Sequence, residues 1–485
     1  MRGTSQTAEA VREPSSDPET DPIAHLPIVC VQGLGFVGGA VAIAIANARD
    51  DTGRPRYSVI GVDLPTPDGL KRIEALRRGV FPFPTTDEAL SRQAKAANSA
   101  GNLTPCADAS AFSLADVIIV DVPLDVVASE HGQALDFDRF QAAIATIGQY
   151  MQADALVIVE TTVPPGTTSR VVSPILKEQL ARRGEPTGQF RLAHCYERVT
   201  PGPRYLASIV NMPRVFAGID RRSELACEAF FKTVLDVKNG ALTRASSTTA
   251  SELAKVLENT YRATTIALME EFAEFAEKAG VDLFEVVDLI RVRPTHSNMR
   301  TPGFGVGGYC LTKDPLMASL AARDLFGFEQ AFPFASLAVS VNQNAPKRAL
   351  RRLRGLLQDR LLGRQLLLLG VSYRDGVADT RRSPSQIFVE AAVAEGAKVL
   401  VHDPLVEYWD ELDLPVPRDL PRPDGLDAVV LAVPHPEYRE FDFASWVGDA
   451  QPVFLDAFGV LSAEARQALR TKGCRVESIG RGVEL

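Results

Sequence analysis

Pro27-Ile28-Val29-Cys30-Val31-Gln32 runs directly into Gly33-Leu34-Gly35-Phe36-Val37-Gly38, and an alanine-rich segment follows. A short apolar strand, a G-x-G-x-x-G run and a helix start together make a dinucleotide-binding βα turn. Gly33 makes the tight turn, Gly35 lets a pyrophosphate reach the backbone, and Gly38 packs helix on strand. Phe36 and Val37 lie at the helix start, where free amides and the helix dipole favour phosphate. Tyr57 to Val62 reads as the next strand and ends at Asp63. A carboxylate there accepts hydrogen bonds from the adenosine ribose hydroxyls and repels a 2′-phosphate, which predicts NAD rather than NADP.

Outward from this turn, Asp116 to Val122 and Ala155 to Glu160 are further buried strands. Strand alternating with helix predicts an α/β, doubly wound parallel sheet covered on both faces. From about Ser246 the texture changes. Residues 249–279 contain no Gly or Pro before the window closes, and Leu253, Val256, Leu257, Tyr261, Ile266, Met269, Phe272 and Phe275 recur at helical spacing. A second helix is expected near Asp282 to Ile290, and a third from near Pro315 towards Arg354, interrupted at Gly327 and Pro333. A second α/β unit follows, with strands at Leu366–Leu369, Lys398–His402, Asp427–Val433 and Val453–Asp456 and a helix at Ser385–Glu395. It has no G-x-G-x-x-G, and no close internal repeat is visible.

The 485 residues are 46% apolar and 23% charged, the values of a soluble globular chain with two or three domains. The net charge of -9 argues against nucleic acid as a partner. Residues 1–25 are polar and lack a signal-peptide core, so they read as a disordered tail. No apolar run reaches the length of a membrane span. Six scattered cysteines with no zinc spacing predict free thiols in a reducing cytosol and no metal.

The chemistry concentrates in Pro302–Pro315, PGFGVGGYCLTKDP. Cys310 follows a glycine run that lets the backbone approach a ligand. Lys313 and the nearby amides are expected to favour its thiolate; a buried structural cysteine is the competing reading. Lys255 and Asn259 lie one turn apart on the long helix, either on a solvated face or directed inward to hold an oxyanion. Thr162, in Glu160-Thr-Thr-Val-Pro-Pro-Gly166, ends a strand where such folds line their ligand crevice; the alternative is a turn threonine. Glu197, in Cys195-Tyr-Glu-Arg-Val-Thr-Pro-Gly202, is a candidate acid or base or else an exposed loop charge. His194 and His296 read as polar packing residues.

These segments, from the glycine turn through ELAKVLENTYR at Glu252–Arg262, the Cys310 stretch and SYRDGVADTRRSP at Ser372–Pro384 to Ile479-Gly-Arg-Gly482, occur in one order that resembles the UDP-glucose/GDP-mannose dehydrogenase family. The resemblance implies two Rossmann-like doubly wound domains joined by a helical dimerisation domain: 26–225 for NAD, 226–350 for dimerisation and 351–485 for the UDP-sugar. It implies a cytoplasmic homodimer that oxidises C6 of a nucleotide sugar to a carboxylate with two NAD, for surface polysaccharide precursors.

Carried over residue by residue, Cys310 is the nucleophile of a thioester, and Lys255 and Asn259 stabilise oxyanions. Asp314 and Glu197 serve water activation and proton transfer. Thr162 places a water or the nicotinamide, Lys313 and Arg381 reach the NAD phosphates, and Gly303, Gly307 and Arg374 line the sugar-nucleotide pocket. Glu197-Arg-Val-Thr-Pro-Gly202 resembles the UDP-N-acetylhexosamine branch (UDP-N-acetylmannosamine or UDP-N-acetylglucosamine), because Pro201 stands where UDP-glucose enzymes often have a second glutamate. Cys310-Leu-Thr-Lys-Asp314 resembles the glucose branch, Tyr309 replaces a common histidine, and Tyr196 a common proline. Asp121-Val-Pro-Leu124 lacks a usual threonine, and no arginine clearly matches the one often found near His296. UDP-glucose 6-dehydrogenation and a two-electron β-hydroxyacid-type oxidation are the alternatives.

Overall fold

The computed structural model describes residues 26–129, 132–236 and 242–482; the tail expected at 1–25 lies outside them. The first unit is an eight-stranded sheet. Its strands are β1 (Ile28–Gln32), β2 (Ser58–Val62), β3 (Leu103–Cys106), β4 (Val117–Val120), β7 (Leu156–Val159), β8 (Arg191–Tyr196), β9 (Arg214–Gly218) and β10 (Leu242–Arg244); β5 (Val126–Ser129) and β6 (Gly132–Leu135) form a separate hairpin. The order β10-β9-β8-β7-β4-β1-β2-β3 is parallel except for the antiparallel β8–β9 pair. The strands read as continuous apolar runs because helices cover both faces. β1 reverses the strand order at the sheet's centre, and a crevice opens there, at the strand C-termini.

Ser247 caps the long helix Thr248–Ala279 by accepting from Ala250 N, and Gly280 ends it at φ +73°. Its apolar residues do not all face a core. Val256 and Met269 are buried, but Leu253, Leu257, Tyr261, Phe272 and Phe275 are exposed, whereas Glu252, Lys255, Asn259 and Glu270 are buried. The polar residues point into the protein and an apolar stripe points out.

A helix at Leu283–Arg291 follows. The third helix expected from Pro315 is split further, into a short 3-10 turn, Met317–Ala321 and Ala322–Phe326, and it stops at Gly327, in the left-handed region, where an interruption was expected. A separate helix, Pro333–Leu356, packs along the long one. Pro346 inside it has no N–H for the carbonyl of Asn342, and the glycine-rich turn closes on that oxygen: a Cβ at Gly305 would lie 2.5 Å from it.

The last unit is a parallel five-stranded sheet, β11 (Gln365–Leu369), β12 (Lys398–His402), β15 (Ala428–Leu431), β16 (Val453–Asp456) and β17 (Val476–Ser478), in the order β12-β11-β15-β16-β17; a small hairpin, β13 (Tyr408–Trp409) and β14 (Leu414–Pro415), stands beside it. β17 was not expected from the sequence. Among the described residues no helix is long and apolar enough to cross a membrane.

Candidate active site

A cavity of ≈ 580 Å³ opens where the three units meet. Gly35–Gly38 and Thr162 line it from the first sheet, Lys255, Asn259 and the Gly303–Lys313 turn from the middle, and Arg374 and Arg381 from the last unit.

The glycine turn fits a dinucleotide. Gly33 has φ +91°, and a Cβ at Gly38 would sit 1.9 Å from Gly33 O, so neither position accepts a side chain. A Cβ at Gly35 would meet nothing within 4 Å. Gly35 is also the helix N-cap and offers no side-chain bond to the first amides, which leaves them for an anion. Asp63 stands at the end of β2, where it accepts from Leu34 N at 3.1 Å and Leu64 N at 2.7 Å. Arg72, which the sequence reading missed, clamps the same carboxylate through Nε at 2.8 Å and Nη2 at 3.1 Å.

Cys310 lies in the turn that leads into the 3-10 segment Asp314–Leu316; its carbonyl accepts from Lys313 N at 3.1 Å and Asp314 N at 2.9 Å. The same turn folds Asp314 back, so Asn259 Nδ2 donates to its Oδ2 at 2.7 Å and Lys313 Nζ to its Oδ1 at 2.8 Å. Asp314 is fully buried with both oxygens held. It orients Asn259 and Lys313. The Lys313 ammonium, expected at the cofactor phosphates, is buried and also donates to Leu124 O at 3.0 Å. The expected thiolate-stabilising cation is therefore offset: burial first, then Asp314, push the Cys310 thiol up to about 12 against the pull of Lys255 and Lys313. The thiol rests protonated.

Lys255 and Asn259 are both buried, which removes the solvated-face reading. Lys255 Nζ donates to Glu197 O at 2.8 Å and lies 3.4 Å from Glu197 Oε1. Burial disfavours its charge, but Glu197, Cys310 and Asp314 outweigh it and raise its pKa. Glu197 is buried rather than exposed, and its Oε2 accepts from Val199 N. His194 is a buried packing residue bonded to Ser251 Oγ at 2.8 Å. His296 is half-buried at the surface, bonded to Thr295 Oγ1 at 2.9 Å.

Several contributors were not read from the sequence. Glu252 accepts from Gly166 N at 2.6 Å and Thr168 N at 2.7 Å, which fixes the loop bearing Thr162. Glu270 accepts from Gly303 N at 3.0 Å and fixes the start of the cysteine turn. Each is buried with no exposed charge to betray it, although Glu252, Lys255, Asn259 and Arg262 share one helical face by spacing alone. Arg262 lines the cavity with Arg300 and Arg374; burial first, then these two guanidiniums, lower its pKa. Three cations turned into one pocket suit a polyanionic ligand.

Comparison with known proteins follows this geometry. Residues 28–235, 249–344 and 367–463 match, in turn, the NAD binding, central and UDP binding domains of the UDP-glucose/GDP-mannose dehydrogenase family. A UDP-N-acetyl-D-mannosamine dehydrogenase of Methanocaldococcus jannaschii is 29% identical over 94% of this chain and 96% of its own length. One from Pyrococcus horikoshii is 31% identical over 86% of this chain and 91% of its own. The solved structure of a P. horikoshii UDP-D-ManNAc dehydrogenase superposes with TM-score 0.78 at 27% identity, covering 94% of this chain and 99% of that one.

Proposed function

The chain belongs to the UDP-glucose/GDP-mannose dehydrogenase family, NAD-dependent nucleotide-sugar oxidoreductases, and we propose that it carries a UDP-N-acetylhexosamine through a four-electron oxidation at C6 by way of a Cys310 thioester. UDP-N-acetylmannosamine is the first candidate, in line with the relatives above, and UDP-N-acetylglucosamine the second. The observation that carries the reading is the meeting of Cys310, Lys255, Asn259 and Glu197 in the same cavity as the open Gly35 turn.

Gly35–Gly38 and Asp63 would hold NAD, which when bound accepts the hydride of each oxidation. The Arg262, Arg300 and Arg374 group would take the substrate diphosphate, and Gly303 and Gly307 line the same cavity, packed closely on Phe458 and Pro384. Lys255 Nζ and Asn259 Nδ2 donate to the C6 oxygen and stabilise its developing negative charge. In the first oxidation C6 gives up a hydride and its hydroxyl passes a proton to Glu197, which releases it to solvent, leaving an aldehyde. The Cys310 S–H then adds across the carbonyl: the S–C bond forms, the C=O π bond opens, and the thiol proton passes to the oxygen. A protonated resting thiol suits this step, because the proton leaves as the S–C bond forms. The second hydride departs from the same carbon while the hydroxyl proton passes to Glu197 and on to solvent, leaving the thioester. Water attacks it, the S–C bond breaks, the sulfur recovers a proton, and the carboxylate leaves. Glu197, the less constrained carboxylate, takes the water's proton, and Thr162 helps place that water.

The exposed stripe on the long helix, Leu253, Leu257, Tyr261, Leu268, Phe272 and Phe275, supports a homodimer built on that face. Six free cysteines support a reducing cytoplasm, where the uronate would feed surface polysaccharide synthesis. A screen of UDP-N-acetylmannosamine, UDP-N-acetylglucosamine and UDP-glucose, read as NADH per sugar, tests the assignment. The expected count is two, with a UDP-N-acetylhexosamine preferred. A count of one makes the enzyme a two-electron dehydrogenase. Cys310→Ala is expected to form no uronate while still binding NAD; uronate at the wild-type rate would remove Cys310 from the chemistry.

A further inference from the structure

The loop after β4, the cysteine turn and the arginines after β11 converge on one carboxylate, Asp125. Arg382 Nη2 lies 3.5 Å from Asp125 Oδ1. Its other nitrogen, Nη1, donates to Thr312 Oγ1 at 3.2 Å, and Thr312 Oγ1 donates to Gly308 O at 2.9 Å. One residue back, Leu124 O accepts from Lys313 Nζ at 3.0 Å. Arg382 is held at φ +53°, a left-handed conformation that a side-chain-bearing residue keeps only when its surroundings impose it.

Tyr309 stands inside this ring of contacts. Its ring faces Lys313 Nζ at 4.4 Å, Arg382 Cζ at 5.7 Å and Arg381 Cζ at 5.9 Å, so cations gather on its π system. Its hydroxyl is buried, and neither it nor Asp125 Oδ1 has a hydrogen-bond partner among the described residues. Asp125 Oδ1 keeps only its ion-pair contact with Arg382, whose guanidinium lies over the same tyrosine ring. Burial first and Asp125 next raise the phenol above its ordinary range, which keeps it a donor. A buried hydroxyl left without a partner costs free energy unless it closes on an acceptor, and the Asp125 carboxylate, whose Oδ1 is engaged only by Arg382 at 3.5 Å, can take it.

We propose that Asp125 and Tyr309 form a latch that positions Cys310, tying the cysteine turn to the first sheet and, through Arg382, to the last unit. Tyr309 directly precedes Cys310, whose own hold is through its backbone, so fixing the tyrosine at both ring and hydroxyl fixes the direction in which the thiol is presented. Both residues act through Cys310 and are positioning residues. The inference rests on the reading of Cys310 as nucleophile, but its test does not.

The test measures two quantities on full-length enzyme: the rate at which iodoacetamide alkylates Cys310 without ligand, followed by mass spectrometry of its peptide, and steady-state kinetics. Tyr309→Phe removes one oxygen and keeps the ring over its cations. Asp125→Ala removes the acceptor, and Asp125→Asn keeps an oxygen for the tyrosine. Tyr309→Phe and Asp125→Ala are each expected to speed alkylation about fivefold. Each should lower kcat about tenfold, with the KM for nucleotide sugar within about twofold, the scale of a thiol displaced by a fraction of an ångström. The double variant should be no worse than the poorer single one, and Asp125→Asn should recover most of the loss. Unchanged alkylation with unchanged kcat, or losses that multiply in the double variant, would overturn the latch. If Asp125→Ala does not fold, Tyr309→Phe and Asp125→Asn carry the comparison. Should Cys310→Ala prove active, alkylation still reports whether the turn is latched, so the two readings fail separately.

Discussion

In the first sheet Gly33 N donates to Val62 O at 2.8 Å and Leu34 N to Asp63 Oδ2 at 3.1 Å; in the last, Gly370 N donates to His402 O at 2.8 Å and Val371 N to Asp403 Oδ2 at 2.9 Å. The two leading strands start alike as well, with Ile28 N on Asp116 Oδ2 and Gln365 N on Asp427 Oδ2, both at 2.8 Å. Past the glycine the turns part. The first reaches its helix at Phe36 and leaves Gly35 open to the cavity. The second puts Ser372 at the matching place. Its amide donates to Asp403 Oδ2 at 3.1 Å, its hydroxyl meets His435 Nε2 at 3.1 Å, and His435 lies 3.2 Å from Asp403. The helix then waits until Pro384, and the intervening segment carries Arg374, Arg381 and Arg382 towards the cysteine turn. One scaffold therefore does two jobs. An open turn leaves helix amides for a dinucleotide, and a filled turn trades that cradle for arginines delivered from a longer loop.

The largest effects should come from the glycines of the two turns. A Cβ at Gly38 would lie 1.9 Å from Gly33 O, and one at Gly370 would lie 2.3 Å from Val433 Cβ with φ +99°. Gly38→Ala and Gly370→Ala are each expected to cost on the order of 3 kcal/mol or more in urea unfolding. Gly35→Ala, with open space around it, should leave stability within about 0.5 kcal/mol and weaken NAD binding, measured by titration calorimetry, about tenfold. If Gly35→Ala destabilised the fold like the other two, the open turn would be structural and the contrast would collapse.

The first turn was legible in the sequence because all its parts lie within a few residues: strand, G-x-G-x-x-G, helix and, one strand on, Asp63. The second was legible only as an α/β rhythm. Its lone Gly370 has no glycine partners, its helix comes late, and its matching Asp403 is recognised only when β11 and β12 lie side by side. Cys310, Lys255 and Asn259 were found from their neighbourhoods, but whether the helix face carrying the last two turned inward was not. Apolar residues recur at helical spacing on the opposite face as well, and a periodicity does not say which of two such faces is buried. Asp125 sits one residue past Asp121-Val-Pro-Leu124, a stretch noticed only for the threonine missing from it. Its partners are distant in sequence, and no local pattern announces such a contact.

Removing the aspartate from each turn should give effects of different kinds. Asp403 is buried, and it accepts from Val371 N, Ser372 N and Leu405 N besides contacting His435. Asp403→Ala strands those donors and should lose about 2 kcal/mol of stability. Asp63→Ala should cost less than about 1 kcal/mol, because its partner Arg72 is part-exposed and can turn to water. Its consequence lies in cofactor choice. The freed Arg72 guanidinium suits a 2′-phosphate, so the NADP-to-NAD ratio of kcat/KM should rise about tenfold. An unchanged ratio would mean that Asp63 does not face the ribose.

The smallest effect is one of pH, and it has opposite signs at the second turn and at the helix between the sheets. Burial raises the Asp403 carboxyl, but His435 and the amides of Leu405 and Ser372 outweigh it and hold the group below its ordinary value. A lowered folded-state pKa gives stability that is complete above the unfolded value of about 3.9 and fades as the pH falls below it. Glu252, buried without a cation, is pushed up to about 7 by burial against its bonds to Thr168 and Gly166. The folded protein then holds a proton that the unfolded chain has released, so this stability is present at acid pH and is lost as the pH rises through 7. Glu270, the other middle-helix carboxyl, is also pushed up to about 7. Urea unfolding of the wild type should weaken by about 2 kcal/mol between pH 6 and 8, and Glu252→Gln, which cannot ionise, should remove about half of that slope while leaving the acid limb set by Asp403 in place. A slope undiminished in Glu252→Gln would assign it to Glu270 alone. A slope that vanished from the acid limb as well would mean that the middle helix and the second turn unfold as one titrating unit.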